Sequence, residues 1–267
     1  MRNIDVLLVQ LDSLYESGDR AAMEAFFNRH IPEAEKEGDY GVLLTLYNEY
    51  QGLLRTGGRA PEAAEVTKKA LALIEELGLK GTKNHAVTLI NAGTAHSMAG
   101  KAEEALGYFH EAEELLTDLG EGGATLASLY NNMSHVLNRL RRPEEALSAL
   151  EKALVLIRTV PGEEGAVAVS ELGISSTLMS LGRFADSEKY IKSALVYFES
   201  EAGSRDPHRC SAYSTAAELM YRKGDYEESV RLYEKALSLL RAVYGDNDAC
   251  RITEKNLAMA RAKAEKR

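Results

Sequence analysis

The stretch LYNNMSHVLNRLRRPEEALSALEKALVL, which runs from Leu129 to Leu156, decides the fold of this chain. Its apolar residues recur at spacings of three and four, which predicts two amphipathic helices. A tight turn is expected between them, near Arg141–Pro143. Close variants of the stretch occur before and after it at a fixed interval, and such an interval is typical of a stacked array of helical hairpins.

Turn residues set the period of the array. Each of four glycines ends one helical pattern and precedes another, and Arg141 holds the equivalent place in the quoted stretch. The four glycines are Gly58, Gly100, Gly182 and Gly224, and with Arg141 the successive intervals are 42, 41, 41 and 42 residues. Glycine here supplies the left-handed backbone conformation that ends a helix. Pro143 and Asp225, close after their turns, are typical of a helix start.

Columns of small residues appear when the chain is aligned on these turns. Five positions after each turn the residue is small, and twelve positions after it the residue is always alanine. The two columns are Ala63, Ala105, Ala146, Ser187 and Ser229, then Ala70, Ala112, Ala153, Ala194 and Ala236. Small residues let helices approach closely while bulky neighbours fill the space beside them. The columns therefore predict close packing within and between hairpins.

These columns resemble the tetratricopeptide repeat, over residues 45–267. The basic repeat of that family has about 34 residues. The longer period here, the Asn131–Asn132 pair and the segment YGDNDA (244–249) are similar to the repeats of kinesin light chain and its bacterial relatives. The resemblance implies an all-α fold, a right-handed α-solenoid of about six helical hairpins plus a C-terminal capping helix. It also implies a protein-binding or peptide-binding function.

We expect a single solenoid over residues 1–267. Residues 1–38 keep the helical periodicity and a Gly18–Asp19 turn but lose the small columns, so they are interpreted as a degenerate N-terminal capping hairpin. Residues 39–246 make five repeat units. Residues 247–267 fall in register with a first helix that lacks its partner, and they are interpreted as the C-terminal capping helix.

Composition and charge restrict the partners. The formal net charge is -9, and a field of this sign repels phosphate backbones and anionic lipids. We therefore expect neither nucleic acid nor a membrane as partner. No apolar run approaches the roughly 18 residues of a membrane span, and Asp5 and Asp12 interrupt the apolar core that a signal peptide needs. These features predict a cytoplasmic protein. We further expect a monomer or a weak homo-oligomer.

The two cysteines, Cys210 and Cys250, are expected to be free thiols. In the repeat register they start neighbouring parallel helices, whose axes lie roughly 8–10 Å apart. A disulfide needs Cα atoms within about 7 Å. Free thiols fit a reducing compartment.

Catalytic and metal-binding motifs are missing from the sequence. There is no Gly-x-Ser-x-Gly, no HExxH and no Cys-x-x-Cys. His96 falls in a core column four residues before its turn and is predicted to be packed, whereas His110 is predicted to lie at the surface. Paired glutamates open the second helix in three repeats, where they complement the helix dipole. We predict no enzyme activity, no cofactor and no metal.

The inner face of the first helices carries the candidate binding site. Columns not used for packing are polar there and recur every three or four residues, which places them in one stripe. In family members that capture extended peptides, Asn at the column of Asn91 and Asn132 clamps the peptide backbone, so the resemblance implies this role here. Gly173 and Thr215 break the column, so any ladder is short. The predicted peptide-binding residues are Asn48, Arg55, Asn91, Asn131, Asn132, His135, Asn138, Arg139, Tyr221 and Arg222.

Several functions remain open at this point. The preferred one is an adaptor or scaffold that binds an extended peptide or a protein segment of unknown identity in a concave groove. A peptide-sensing regulator and a self-assembling structural protein are the alternatives. For Asn131 and Asn132 themselves, the alternative to ligand contact is simple solvation of a helix face.

Overall fold

The structure, a computed structural model, describes residues 4–266 apart from the side chain of Tyr244. Within these residues it contains thirteen α-helices, one short 3-10 helix and no β-strand. The predicted all-α fold of helical hairpins is therefore confirmed, while the hand of the solenoid and its subdivision into caps and repeats stay predictions. Residues 1–3 and Arg267, at the ends of the two predicted caps, lie outside the described residues. No helix in the described part is long and apolar enough to cross a membrane.

The first compact unit, Met1–Glu121, is a stack of three helical hairpins. Each helix packs against the next one in the chain. Phe27 and Ile74 are fully buried in its core, and Leu11 is almost so. The helices are α1 (Ile4–Ser17), α2 (Arg20–Glu37), α3 (Tyr40–Thr56), α4 (Ala60–Glu76), α5 (Lys83–Met98) and α6 (Ala102–Asp118).

The second compact unit, Gly122–Arg267, repeats this arrangement with three hairpins and a last helix that packs on α12. A short 3-10 helix, Ala202–Arg205, lies between α10 and α11. Phe198 and Ala260 are fully buried in its core clusters. The helices are α7 (Gly123–Arg139), α8 (Pro143–Ile157), α9 (Glu164–Ser180), α10 (Phe184–Glu199), α11 (Arg209–Lys223), α12 (Tyr226–Tyr244) and α13 (Asp248–Ala264).

The turns adopt the left-handed backbone conformation that their glycines predict. Gly58, Gly100, Gly182 and Gly224 have φ angles of 73°, 84°, 74° and 85°. Arg141 has a φ of 62° and is the one non-glycine residue with positive φ in the described chain. A side chain in this conformation costs about 1–2 kcal/mol. The repeat thus imposes the turn geometry even where the sequence lacks glycine.

The small columns lie between the helices, as predicted. All ten of their residues are at most 1% exposed. In two hairpins the serine of the column also donates a hydrogen bond across the contact, from Ser187 Oγ to Ser175 O at 2.9 Å and from Ser229 Oγ to Ala217 O at 2.8 Å. A larger side chain would hold the helices apart, so the columns set the helix spacing.

A second repeated contact, made by residues eleven positions before a turn, ties α3, α9 and α11 to the end of the helix before each of them. Tyr47 Oη donates to Glu35 at 2.7 Å, and Tyr213 Oη donates to Glu199 at 2.9 Å. In α9 the same column carries Glu171 instead, which is 3% exposed. Arg158, at the end of α8, donates to it at 2.9 Å. The acid and its donor have exchanged helices while the contact is kept.

Close packing at Gly93 can be tested by adding one methyl group. A Cβ atom there would overlap the ring of Phe109, which is fully buried. We expect Gly93→Ala to lower the free energy of unfolding by about 1–3 kcal/mol in urea titrations. Gly107→Ala is the matched control, because a Cβ there meets nothing within 4 Å and the residue lies on the exposed face of α6. The control should raise stability by about 0.5–1 kcal/mol, and equal effects of the two substitutions would contradict the packing.

The Arg158–Glu171 contact predicts a second effect on stability. Arg158→Ala leaves a buried carboxylate without its donor, which should cost about 1–3 kcal/mol in the same measurement. The double variant Arg158→Glu with Glu171→Tyr rebuilds the Tyr–Glu pair that Tyr47 and Tyr213 form. It should recover most of the loss, and a double variant no more stable than Arg158→Ala would show that the two kinds of pair are not equivalent.

Candidate functional site

A groove on the second unit brings three of the predicted residues together. Asn131, Asn132 and His135 line a cavity of about 490 Å³ along α7. Its opposite wall is formed by the start of α9 and by the connection that precedes α11. Sequence reasoning had not assigned several of its lining residues to this site, among them Glu163, Gly165, Asp206 and His208. The groove is therefore built from α7, the start of α9 and the connections that precede α9 and α11.

The two adjacent asparagines have different roles in the structure. Asn131 Nδ2 donates to Ser170 Oγ at 3.1 Å, and the serine hydroxyl lies 3.3 Å from Asn131 Oδ1, so this amide ties α7 to α9. Asn138, about two helical turns further along α7, also ties α7 to α9, with Nδ2 donating to Thr177 Oγ1 at 2.9 Å. The side-chain amide of Asn132 makes no hydrogen bond within the described residues and is half-buried in the groove wall. Asn132 is consequently the asparagine of this pair that can receive a ligand.

His135 lies in the same groove, where its imidazole is accessible to water yet surrounded by the groove walls. Desolvation by these walls, followed by the nearby imidazole of His208, lowers the pKa of His135 from its usual range. His208 itself contacts Asp206, with Nδ1 3.0 Å from Oδ1. The neutral imidazole of His135 can both donate and accept a hydrogen bond, which suits it to a peptide ligand.

A chain of smaller pockets continues from the groove towards the turns of the hairpins. Asn138 lines a pocket of about 220 Å³ together with Arg141 and Ser180. Arg141 also lines a neighbouring pocket of about 290 Å³ with Arg222, whose guanidinium donates to Glu218 at 3.1 Å. Positive charge therefore collects at this edge, whereas Glu163 and Asp206 lie in the groove itself.

Three further predicted residues complete the second unit. Tyr221 and Arg222 line a third pocket, of about 290 Å³, against α13. The Tyr221 ring packs edge-on against Tyr226 at 5.3 Å between centroids, so part of the ring is used in packing between helices. Arg139 is exposed near the end of α7 and does not line any of these pockets.

The remaining predicted residues lie in the first unit. Asn91 Nδ2 donates to Asn48 Oδ1 at 2.9 Å, and Asn48 Nδ2 donates to Thr88 Oγ1 at 3.3 Å. These amides connect α3 with α5, as Asn131 connects α7 with α9. Arg55 is partly buried, which lowers the pKa of its guanidinium, and its Nε has no hydrogen-bond partner among the described residues.

The break in the asparagine column at Gly173 has a steric cause. A Cβ atom at Gly173 would come within 2.8 Å of Leu150 Cδ2 on α8. An asparagine side chain would have to displace the buried Leu150, so packing between repeats disfavours it. The ladder is interrupted because the core of the second unit uses this position.

Groups that could suggest catalysis have structural roles. Cys210 and Cys250 are free, as predicted, and both are buried. Burial raises the pKa of the Cys210 thiol, which disfavours the reactive thiolate. His96 is 4% exposed with Nδ1 2.9 Å from Ala92 O, and His110 is exposed, so both predictions are confirmed. The glutamate pairs lie in the first turns of α6, α8 and α12. Within residues 4–266 no three His, Cys, Asp or Glu side chains form a group that could hold a metal ion.

The tetratricopeptide repeat family model matches residues 125–200, 166–242 and 208–267, which together make more than half of the chain. The chain belongs to the tetratricopeptide repeat family. The match covers the second unit with its groove, and the repeats are of the kinesin-light-chain type. The family predicted from the small columns and the long period is thus confirmed.

Similar proteins are found both by sequence and by structure. Protein KINESIN LIGHT CHAIN-RELATED 3 of Arabidopsis thaliana is 24% identical over 196 residues, covering 73% of this chain, and this chain spans 29% of that relative's length. BtubC (BKLC) from P. vanneervenii shares 24% identity with a TM-score of 0.64 over 72% of this chain and 78% of that one. The quorum sensor NprR from B. thuringiensis, in its apo form, shares 15% identity with a TM-score of 0.71 over 97% of this chain and 69% of that one. At these identities the structures show a common fold.

The lowered pKa of His135 predicts a pH effect on stability. The unfolded chain takes up a proton at a higher pH than the folded chain, so this residue's contribution to stability is lost as pH falls below the usual histidine range. We expect His135→Gln to reduce the decline of the unfolding free energy between pH 7 and pH 5, roughly the range in which histidine changes charge. NMR titration of the His135 Cε1 proton should give a midpoint below that of a model peptide. A midpoint above it would contradict the desolvation of this side chain.

Proposed function

We propose that this protein is a non-enzymatic adaptor or scaffold that binds an extended peptide or a protein segment in the groove along α7. The main support for this proposal is the position of Asn132. Its half-buried side-chain amide lines the groove of about 490 Å³ and makes no hydrogen bond within the described residues. An amide side chain can satisfy one peptide N–H and one C=O together. Asparagine is also a mediocre helix former, so its place in the middle of α7 is consistent with a binding role.

Hydrogen bonds between the helices that line the groove are formed without a ligand. Asn131 and Asn138 hold α7 to α9 through Ser170 and Thr177. A wall that is ordered before binding leaves the ordering cost to the peptide alone. We therefore expect micromolar affinity for a flexible segment, a value that corresponds to about -8 kcal/mol.

Family membership supports the same proposal. Tetratricopeptide repeat proteins are generally non-enzymatic adaptors, and the fold likeness to the quorum sensor NprR extends over most of this chain. Two buried free thiols also fit the reducing compartment expected from the sequence.

The groove assignment can be tested with a double variant, Asn132→Ala with His135→Ala. Neither side chain is fully buried, so the melting temperature should stay within about 2 °C, the shift expected for less than 1 kcal/mol in a chain of this size. Recovery of partners from the source cell should fall at least about tenfold, as for a loss of 1.4 kcal/mol or more. Affinity capture with quantitative mass spectrometry measures this loss.

A matched control changes the exposed face of α8 instead, by Ser148→Ala with Glu151→Gln. The control should retain the partners that the groove variant loses. Equal recovery by the wild type and the groove variant would place the binding surface elsewhere. A regulator would, in addition, change its small-angle scattering radius when the captured partner peptide is added.

A further inference from the structure

Arg141 shares the left-handed backbone of the other turns but differs from them in residue type, because it is not a glycine. It alone among the described non-glycine residues has a positive φ, 62°, at a position where four other repeats use glycine. Such strain persists only where the surroundings demand it, and it is concentrated at functional sites. Substitution by glycine would relieve it, so the arginine is retained at a cost to stability.

Basic residues next to the turns usually form ion pairs with acidic residues of the same hairpin. After four of the five turns the next residue is basic and pairs with an acid three positions later, as Arg142 does with Glu145 at 2.6 Å and Arg183 does with Asp186 at 3.0 Å. The guanidinium of Arg141 makes no hydrogen bond or ion pair within the described residues. Its charge is therefore available to a ligand.

The surroundings of Arg141 form a small polar pocket. It has a volume of about 290 Å³ and contains Ser176, Ser180 and Arg222 besides Arg141. Glu218 also lines it and accepts from Arg222 at 3.1 Å, so one of the two guanidinium charges is already balanced. The charged side chains thus sum to one net positive charge, which matches a singly charged carboxylate better than a doubly charged phosphate.

We propose that Arg141, with Ser180 and Arg222, forms a carboxylate-binding subsite that selects partners with an acidic side chain. This inference rests on the proposed function and names the chemistry of its ligand. The fork of N–H groups on Arg141 can hold a carboxylate through two parallel hydrogen bonds. The pocket lies next to the one that Asn138 lines on α7, so a peptide bound along α7 can reach it. An acidic residue of the peptide then lies at the turn end of α7, while Asp206 and Glu163 in the groove disfavour a second one there.

Peptide pools test the subsite. Two fluorescein-labelled pools of randomised, C-terminally amidated decapeptides differ only in carrying Glu or Gln at one fixed position in each peptide. By fluorescence anisotropy the wild type should bind the Glu pool about tenfold more tightly, as expected for one charge-assisted pair. Arg141→Gly should bind both pools equally, at the affinity that the wild type shows for the Gln pool. Because the variant restores the glycine of the repeat, its melting temperature should rise by about 2–4 °C, so a loss of folding cannot explain the lost preference.

Controls separate the possible outcomes. Arg231→Gln removes the same charge from an exposed pair on α12 and should keep the preference, which excludes an effect of net charge. Sodium acetate should displace the Glu pool from the wild type more effectively than inorganic phosphate does at equal ionic strength, and the reverse order would overturn the carboxylate assignment. A preference that survives in Arg141→Gly overturns the subsite while leaving the proposed function intact. Failure of the wild type to bind either pool overturns both.

Discussion

Close approach of helices at columns of alanine and serine is the constraint on which this structure depends. The alanines twelve residues after each turn are all at most 1% exposed, from Ala70 in the first unit to Ala236 in the second. Without a side chain beyond Cβ, each contact lets neighbouring helices share bulky residues such as Phe109 and Phe198 on either side. The spacing of helices, and hence the place of every inner-face residue, follows from these contacts.

The same spacing decides which polar residues remain available to a ligand. Where α7 and α9 lie close together, amides on one helix reach hydroxyls on the other, and Asn131 and Asn138 are used in this way. Asn132 is about 100° further round the helix than Asn131, and its amide lines the groove without a hydrogen bond to another described residue. At Gly173 the helices are so close that a Leu150 methyl group takes the space of a side chain. Binding and packing thus compete for the same face, position by position.

Charged residues are distributed unequally over the pockets of the second unit. Glu163 and Asp206 line the groove beside His135, and Arg141 and Arg222 line the pocket near the turns. Most other charged residues at the turns are paired within their own helix, which contributes little to stability at an exposed site. Arg141 differs because a strained backbone holds an arginine without a partner among the described residues. A surface with an acidic groove and a basic edge favours one orientation of an extended ligand.

The sequence by itself determined the helices, the turns, the buried columns and the family, because each depends on spacings within about forty residues of chain. Left-handed turns follow from glycine, and core positions follow from helical periodicity, so Ala153 and His96 were assigned without coordinates. Tertiary structure alone decided that Asn131 serves packing while Asn132 faces the groove, since one residue of helical rotation separates the two. It also decided that Asp206 and His208 complete the groove, because interhelical connections carry no periodic pattern and their positions depend on how the repeats stack. For Arg141 both sources were needed. The sequence showed that this turn lacks the glycine of the other repeats, and the structure showed the strained backbone and the pocket that the side chain lines.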